Sequence, residues 1–374
     1  MNTVDTSGRL GIIALSSCTE FGNLVDRHIR EERTKAGIKC PDTYIIPIDE
    51  IRFSNGEGKT RLPQSVRGRD IFILCDPGNY SCTFDFFGIT NHKSPDDHFQ
   101  DLKRALSCIC GKSKRSTVVI PRLYESRQDR RKGRESLDCA LALKELESMG
   151  IQDIIAFDLH DSRVQNAVPL CSFENLYATH EMVSAFWSEN EEIVMNNEDL
   201  IIISPDPGGM DRALFYSQVL DAEVAMFYKS RDLRRVVGGT NPIIKHDYLG
   251  PSLEGKNVLV VDDILATGDS VLSIANEIKK LGAAKVFVAT TFAWFTKGVE
   301  KFDSLYNNKI IDRFYSTNLT YVSDSLKSAP WFREVDMSGF LAKAIDLLNR
   351  NDSLAPLIDA TTGLRNKIRE ARKA

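Results

Sequence analysis

Two adjacent carboxylates, Asp262 and Asp263, stand at the end of an apolar run and directly before a small-residue turn, in Val258-Leu-Val-Val-Asp-Asp-Ile-Leu-Ala-Thr-Gly-Asp-Ser270. A strand followed by a turn and a helix start offers a ring of backbone N–H groups to an anion, so Thr267, Gly268, Asp269 and Ser270 read as a phosphate cradle with two hydroxyls as added donors. The paired acids can accept hydrogen bonds from two vicinal sugar hydroxyls. A plain turn with Ser270 as helix N-cap would use the same residues, but apolar run, acid pair and Thr-Gly turn coincide here. Other chemistry-bearing residues also follow apolar runs. Ile203-Ser-Pro-Asp-Pro-Gly-Gly-Met-Asp-Arg212 carries Asp206, a hard oxygen suited to Mg²⁺, and Gly208 and Gly209, which let a ligand approach the backbone. Ile120-Pro-Arg-Leu-Tyr-Glu-Ser-Arg-Gln-Asp-Arg-Arg131 carries Arg127, whose planar fork of donors fits phosphate oxygens, next to Gln128. His160 closes Phe157-Asp-Leu-His160, and Lys229 and Arg231, two apart in Phe227-Tyr-Lys-Ser-Arg231, share one face of an extended segment.

The elements that must position these residues alternate. Short apolar runs at residues 10–15, 71–74, 117–120, 154–157, 200–203, 258–261 and 286–289 read as buried parallel strands. Amphipathic stretches at 96–110, 137–149, 209–220 and 270–281 read as helices between them. The fold class is therefore α/β, doubly wound, with mostly parallel sheets, and such folds bind ligands just past the strand ends. A chain of 374 residues with 42% apolar content can bury a core in each of two domains, divided as 1–176 and 177–350 with a C-terminal segment 351–374. Residues 79–95 are long for a connection and read as an insertion or a mobile surface loop.

A net charge of -4, with acids and bases spread along the chain, gives no basic field for a nucleic acid or an anionic membrane. Partners are expected to be small molecules or further copies of the chain. The first fifteen residues have no apolar signal core, and no run of about eighteen apolar residues occurs, so the expected location is the cytoplasm. The eight cysteines lie singly or as Cys108 and Cys110, without metal-type pairs, and read as reduced structural thiols.

The segment 258–270 resembles the ribose 5-phosphate or phosphoribosyl pyrophosphate loop shared by type I phosphoribosyltransferases and ribose-phosphate pyrophosphokinases. The resemblance implies that Asp262 and Asp263 hold the ribose hydroxyls and 267–270 the 5-phosphate. Two residues depart from the pyrophosphokinase pattern: Ala266 replaces an acid and Asp269 a glycine. A carboxylate facing a phosphate is repelled, so the Asp269 side chain must point away or phosphate binding is weak. Five further segments resemble the pyrophosphokinases. Ile51-Arg-Phe-Ser-Asn-Gly-Glu57 is similar to an adenine-binding hairpin that in the family is contributed by a neighbouring subunit, implying that Phe53 stacks on the base and Glu57 accepts its amino protons, with Asn55 in place of the more frequent Asp. The Arg127-Gln128 segment is similar to one that holds ATP. By the same resemblance His160 touches Mg²⁺ and nucleotide phosphates, Asp206 ligates the metal, and Lys229 and Arg231 belong to a catalytic flexible loop that continues through 232–251.

The resemblance extends from about Gly11 to about Asp359, with a terminal helix pattern at 335–347, and leaves out both ends and residues 79–95. It implies two domains of the type I phosphoribosyltransferase-like fold, an ATP side in the first and a ribose 5-phosphate side in the second. The expected activity is Mg²⁺-dependent diphosphoryl transfer from ATP to ribose 5-phosphate, in a homo-oligomer that the family commonly builds as a hexamer. Two rival readings are a type I phosphoribosyltransferase, which leaves the first half of the chain without a role, and a non-catalytic regulatory subunit, supported by Asn55, Ala266 and Asp269.

Overall fold

The structure, a computed structural model, describes residues 9–131, 133–231 and 243–373. The interior strands Arg69–Leu74, Arg115–Val119, Asp153–Phe157, Leu200–Ser204 and Asn257–Leu265 form where apolar, largely β-branched residues follow one another, as a sheet covered on both faces requires. The described residues begin with β1 (Arg9–Ala14), α1 (Thr19–Lys35), a hairpin of β2 (Asp49–Arg52) and β3 (Gly58–Arg61), β4 (Arg69–Leu74) and a second hairpin of β5 (Thr83–Phe86) and β6 (Ile89–His92). It continues through α2 (Pro95–Ile109), β7 (Arg115–Val119), α3 (Asp138–Ser148), β8 (Asp153–Phe157) and β9 (Ser172–Leu176). A five-stranded sheet runs β1-β4-β7-β8-β9, every neighbouring pair parallel. Leu102 and Leu106 of α2 and Leu143 of α3 pack with Ile13, Ile71, Ile73 and Val118 on one face. The start of α2 is a capping box: Ser94 Oγ accepts from the Asp97 N–H while the Asp97 carboxylate accepts from the Ser94 N–H, with Pro95 in the first turn.

The second half contains α4 (Thr179–Glu189), α5 (Glu191–Met195), β10 (Leu200–Ser204), α6 (Met210–Leu220), β11 (Glu223–Arg231), β12 (Ile243–Leu249) and β13 (Asn257–Leu265). It continues with α7 (Asp269–Lys280), β14 (Lys285–Ala293), α8 (Glu300–Asn307), β15 (Arg313–Thr317), α9 (Asp324–Lys327) and β16 (Phe332–Val335), and ends with α10 (Ser338–Asn349) and α11 (Ala355–Ala371). A seven-stranded sheet runs β12-β11-β10-β13-β14-β15-β16, parallel throughout except for β12. Ile274 and Ile278 of α7 and Phe302 of α8 pack with Val258, Val260, Val286 and Phe314. On the opposite face Phe186 of α4 meets Phe287 at 5.2 Å and Tyr315 at 5.8 Å between ring centroids.

The chain divides into two units: residues 1–177, 318–321 and 336–357, and residues 178–317, 322–335 and 358–374. These units are discontinuous, whereas the division read from the sequence runs in consecutive blocks. Helix α10 joins the first unit, where Phe340 meets Phe157 at 6.0 Å and Asn349 Nδ2 donates to Asp70 Oδ2 at 2.8 Å. Arg115 grips the same buried Asp70 with two hydrogen bonds of 2.8 and 2.6 Å, so this charge is compensated inside the unit.

Three sequence readings change. Within residues 79–95, read as an insertion or a mobile surface loop, 83–92 form an antiparallel hairpin. Val335 ends β16 and the following helix starts at Ser338, because Asp336 Oδ1 accepts the Ser338 N–H at 2.9 Å and turns the chain there; α11 follows, so α10 is not terminal. Strand β13 also runs past Val261, with Asp262 opposite Thr290 and Ile264 opposite Phe292 of β14, so the two acids lie inside the strand.

Candidate active site

In the second unit β10 and β13 are parallel neighbours with Ile203 opposite Val260, so the chain leaves β10 into the Asp206 turn beside the stretch of β13 that carries the acid pair. Asp206 caps a short helical turn: its Oδ1 accepts the N–H of Gly208 at 3.0 Å and of Gly209 at 3.3 Å. Ser204 donates its hydroxyl to the Asp206 carbonyl at 2.6 Å, and a Cβ on Gly209 would stand 2.8 Å from Ser204 Oγ, so glycine is needed there. On the other side of β10, β11 carries its backbone beyond Ser204, whose partner is Met226, and on through Lys229 and Arg231. Lys229 is thus about 10 Å past the last paired residue of β10 at roughly 3.3 Å per residue. The lid reading of 232–251 falls partly on residues 232–242, which lie outside the described residues; 243–249 form β12, antiparallel to β11.

Asp262 Oδ1 accepts the Asp263 N–H at 2.9 Å. Burial, and then the charge of Asp263, push the Asp262 carboxyl well above the usual carboxylate range. Arg212 in the first turn of α6 opposes this, with Nη1 3.8 Å from Asp263 Oδ1. No role was assigned to Arg212 from the sequence; its position six residues after Asp206, in the same motif, was the available signal. The cradle residues follow. Gly268, with φ at 81°, is the N-cap of α7, so Ser270 lies inside the helix and does not cap it. Thr267 Oγ1 donates to Asp269 Oδ2 at 3.0 Å and accepts the Asp269 N–H at 3.3 Å. The Asp269 carboxylate is engaged by Lys297 at 2.6 Å and Lys301 at 3.6 Å, and the Lys297 hydrogen bond holds it below the usual range. Asp269 therefore brings its own counter-charges to the loop, two lysines that sequence reasoning did not connect with it.

The remaining candidates belong to the first unit. Arg127 and Gln128 are exposed in the turns after β7, with the Gln128 N–H on the Glu125 carbonyl at 2.8 Å, and exposed His160 follows β8, the parallel neighbour of β7. Before His160 the chain bends sharply at Asp158, φ 42°, whose N–H donates to the Leu176 carbonyl at 2.9 Å. The 53–57 turn closes β2 and β3, with the Phe53 N–H on the Glu57 carbonyl and the Gly56 N–H on the Phe53 carbonyl, both 2.8 Å. Asn55 donates to Glu57 Oε2 at 3.0 Å and accepts the Glu57 N–H at 3.1 Å, which orients the carboxylate.

A family model for the N-terminal domain of ribose phosphate pyrophosphokinase matches residues 10–150, and one for the phosphoribosyl transferase domain matches 173–318. The chain belongs to the ribose-phosphate pyrophosphokinase family. A ribose-phosphate pyrophosphokinase from Chromobacterium violaceum is 28% identical over 328 residues, 86% of this chain and 90% of that protein. One from Prochlorococcus marinus is 25% identical over 318 residues, 83% and 86% of the two chains. Among solved structures, a phosphoribosylpyrophosphate synthetase from Mycobacterium smegmatis superposes with a TM-score of 0.72 over 92% of this chain and 99% of that one, at 20% identity, and shares the fold. Members of the family are diphosphate-group transferases, and the chain is an enzyme of that class.

Proposed function

We propose that the chain transfers the β,γ-diphosphoryl group of ATP to the 1-hydroxyl of ribose 5-phosphate, giving phosphoribosyl pyrophosphate and AMP. The observation that carries this reading is the gathering of an acid pair, a phosphate-type loop, the Asp206 turn and the strand of Lys229 and Arg231 towards the C-terminal ends of three neighbouring strands, β11, β10 and β13. Asp262 and Asp263 accept hydrogen bonds from the ribose hydroxyls, and 267–270 with the start of α7 hold the 5-phosphate. Arg127 and Gln128 hold the nucleotide, with Phe53, Asn55 and Glu57 at its base. The anomeric oxygen forms its bond to the β-phosphorus and releases its hydroxyl proton to solvent, as the bond from the β-phosphorus to the α,β-bridging oxygen breaks and AMP leaves with that oxygen. Such a transfer needs alignment and charge neutralisation more than covalent catalysis, and Lys229 and Arg231 supply positive charge where negative charge spreads.

Among the described residues no group of three or more His, Cys, Asp or Glu forms a metal cage. Mg²⁺ does not need one, since it takes one or two protein ligands and keeps waters and substrate phosphates as the rest. Asp206, a hard donor oriented by two backbone N–H groups, fits that chemistry and would hold the ion; a role for His160 in metal binding rests on the family likeness. Bound there, Mg²⁺ neutralises phosphate oxygens. The regulatory-subunit reading loses one support, because the Asp269 charge is paired with lysines. A homo-oligomer, a hexamer by family likeness, and a cytoplasmic location complete the proposal; among the described residues no helix is long and apolar enough to cross a membrane. Lys229→Ala and Arg231→Ala are each expected to cut kcat by about a hundredfold or more with smaller changes in KM. Near-wild-type turnover in either variant would remove that residue from the chemistry.

A further inference from the structure

Residues 79–94 lie outside the segments that carry the family resemblance, yet they are built onto the 53–57 turn. Strands β5 and β6 pair from Thr83 with His92 to Phe86 with Ile89, leaving Phe87 and Gly88 as a two-residue tip with φ of 48° and 77°. A turn with two left-handed residues ordinarily takes Asn-Gly or Gly-Gly. Here its first position holds an aromatic side chain that is 75% exposed, so backbone and solvent both disfavour the residue.

The hairpin is fastened to the turn at its tip and at its root. The Phe87 N–H donates to the Ser54 carbonyl at 3.0 Å, and the Phe86 ring covers Gly56 so closely that a Cβ there would stand 2.8 Å from it. The Phe87 ring meets Phe86 edge-on at 4.8 Å. At the root, buried Lys93 bridges Glu50 of β2 at 3.1 Å and Asp101 of α2 at 2.9 Å. Arg52, at the other end of β2, lies 4.9 Å over the Phe84 ring and pairs with Asp97 and Asp101 at 3.2 Å each. Both ends of β2 are thereby tied to the insertion and to α2. One braced arm presents two exposed aromatic residues on adjoining turns, Phe53 and Phe87.

We propose that this hairpin is part of the nucleotide-base site, with Phe86 a positioning residue for the 53–57 turn and Phe87 a second stacking residue for the purine ring beside Phe53. The inference rests on reading that turn as base-binding. Stacking of a base on an aromatic side chain corresponds to about a tenfold to hundredfold change in affinity.

The test is calorimetric binding of MgATP and of magnesium tripolyphosphate, which lacks a base, to the full chain, with KM for ribose 5-phosphate measured alongside. Asn suits a left-handed turn, so Phe87→Asn keeps the hairpin while removing the ring. Phe87→Asn and Phe86→Ala are expected to weaken ATP about tenfold, leaving tripolyphosphate and KM for ribose 5-phosphate unchanged, while Phe87→Tyr retains ATP affinity. If Phe53→Ala weakens ATP and the Phe86 and Phe87 variants do not, the hairpin has no part in a base site that exists. If Phe53→Ala also leaves ATP unchanged, the underlying reading fails and this inference with it. A change in sedimentation with ATP affinity intact would overturn it in favour of a contact between copies of the chain.

Discussion

At the scale of single residues, the acid pair combines a binding task with a folding penalty. Burial and the neighbouring Asp263 raise the Asp262 carboxyl above its unfolded value of about 3.9, so between that value and the folded titration the native chain holds the extra proton. Stability therefore falls as pH rises from about 4 through that window, the reverse of an ion-paired carboxylate. Asp262→Asn imitates the neutral form. Its Tm should match wild type near pH 4 and exceed it increasingly towards pH 8; equal Tm values throughout would show that Asp262 titrates normally. Asp269 behaves in the opposite way, since Lys297 and Lys301 stabilise its charge. A pair this exposed adds little to stability, so its effect is local: the carboxylate nearest the cradle comes with compensating charge.

At the scale of elements, the bend into α7 depends on Gly268. Its left-handed φ of 81° is unfavourable for a side chain, and a Cβ there would stand 2.7 Å from the Phe302 ring. Gly268→Ala is expected to cost about 2 kcal/mol or more in urea unfolding and to raise KM for ribose 5-phosphate; a change under about 0.5 kcal/mol would mean that the loop relaxes freely. The seven strands read from apolar runs are all present, each parallel to its neighbours within its own sheet; six of them lie inside a sheet, where cover on both faces needs uninterrupted apolar residues, and β1 is an edge strand. Strands β9, β12 and β16 were illegible for the complementary reason: each lies at a sheet edge, where sequences such as Ser172-Phe-Glu-Asn-Leu176 meet solvent and carry no apolar run. The hairpin inside the insertion escaped for want of a turn signal, since Phe87-Gly88 is not a usual hairpin tip. Within the candidate site, the acid pair, Asp206 and the glycines were legible as local motifs. The Lys297 partner of Asp269, 28 residues away, was not, because pairing over that distance is set by the fold.

At the scale of the whole molecule, the chain's order and its units do not coincide. Helix α10 is an amphipathic stretch whose sequence does not say which body it covers; the answer lies in Arg33, which reaches Asp346 at 2.5 Å and Asn349 at 2.7 Å across more than 300 positions of chain. The first unit is therefore complete only when residues 336–357 have returned to it. The two units also divide the proposed chemistry, with the nucleotide residues in the first and the acid pair, cradle and Asp206 in the second. Diphosphoryl transfer is the activity that gives both a task, whereas a phosphoribosyltransferase would leave the first idle. The most direct test is AMP formation from ATP and ribose 5-phosphate with Mg²⁺, for wild type and for Asp206→Ala. AMP that depends on ribose 5-phosphate and falls by about a hundredfold or more in the variant is the expected result. No ribose-dependent AMP from the wild-type chain, or full activity in Asp206→Ala, would contradict it.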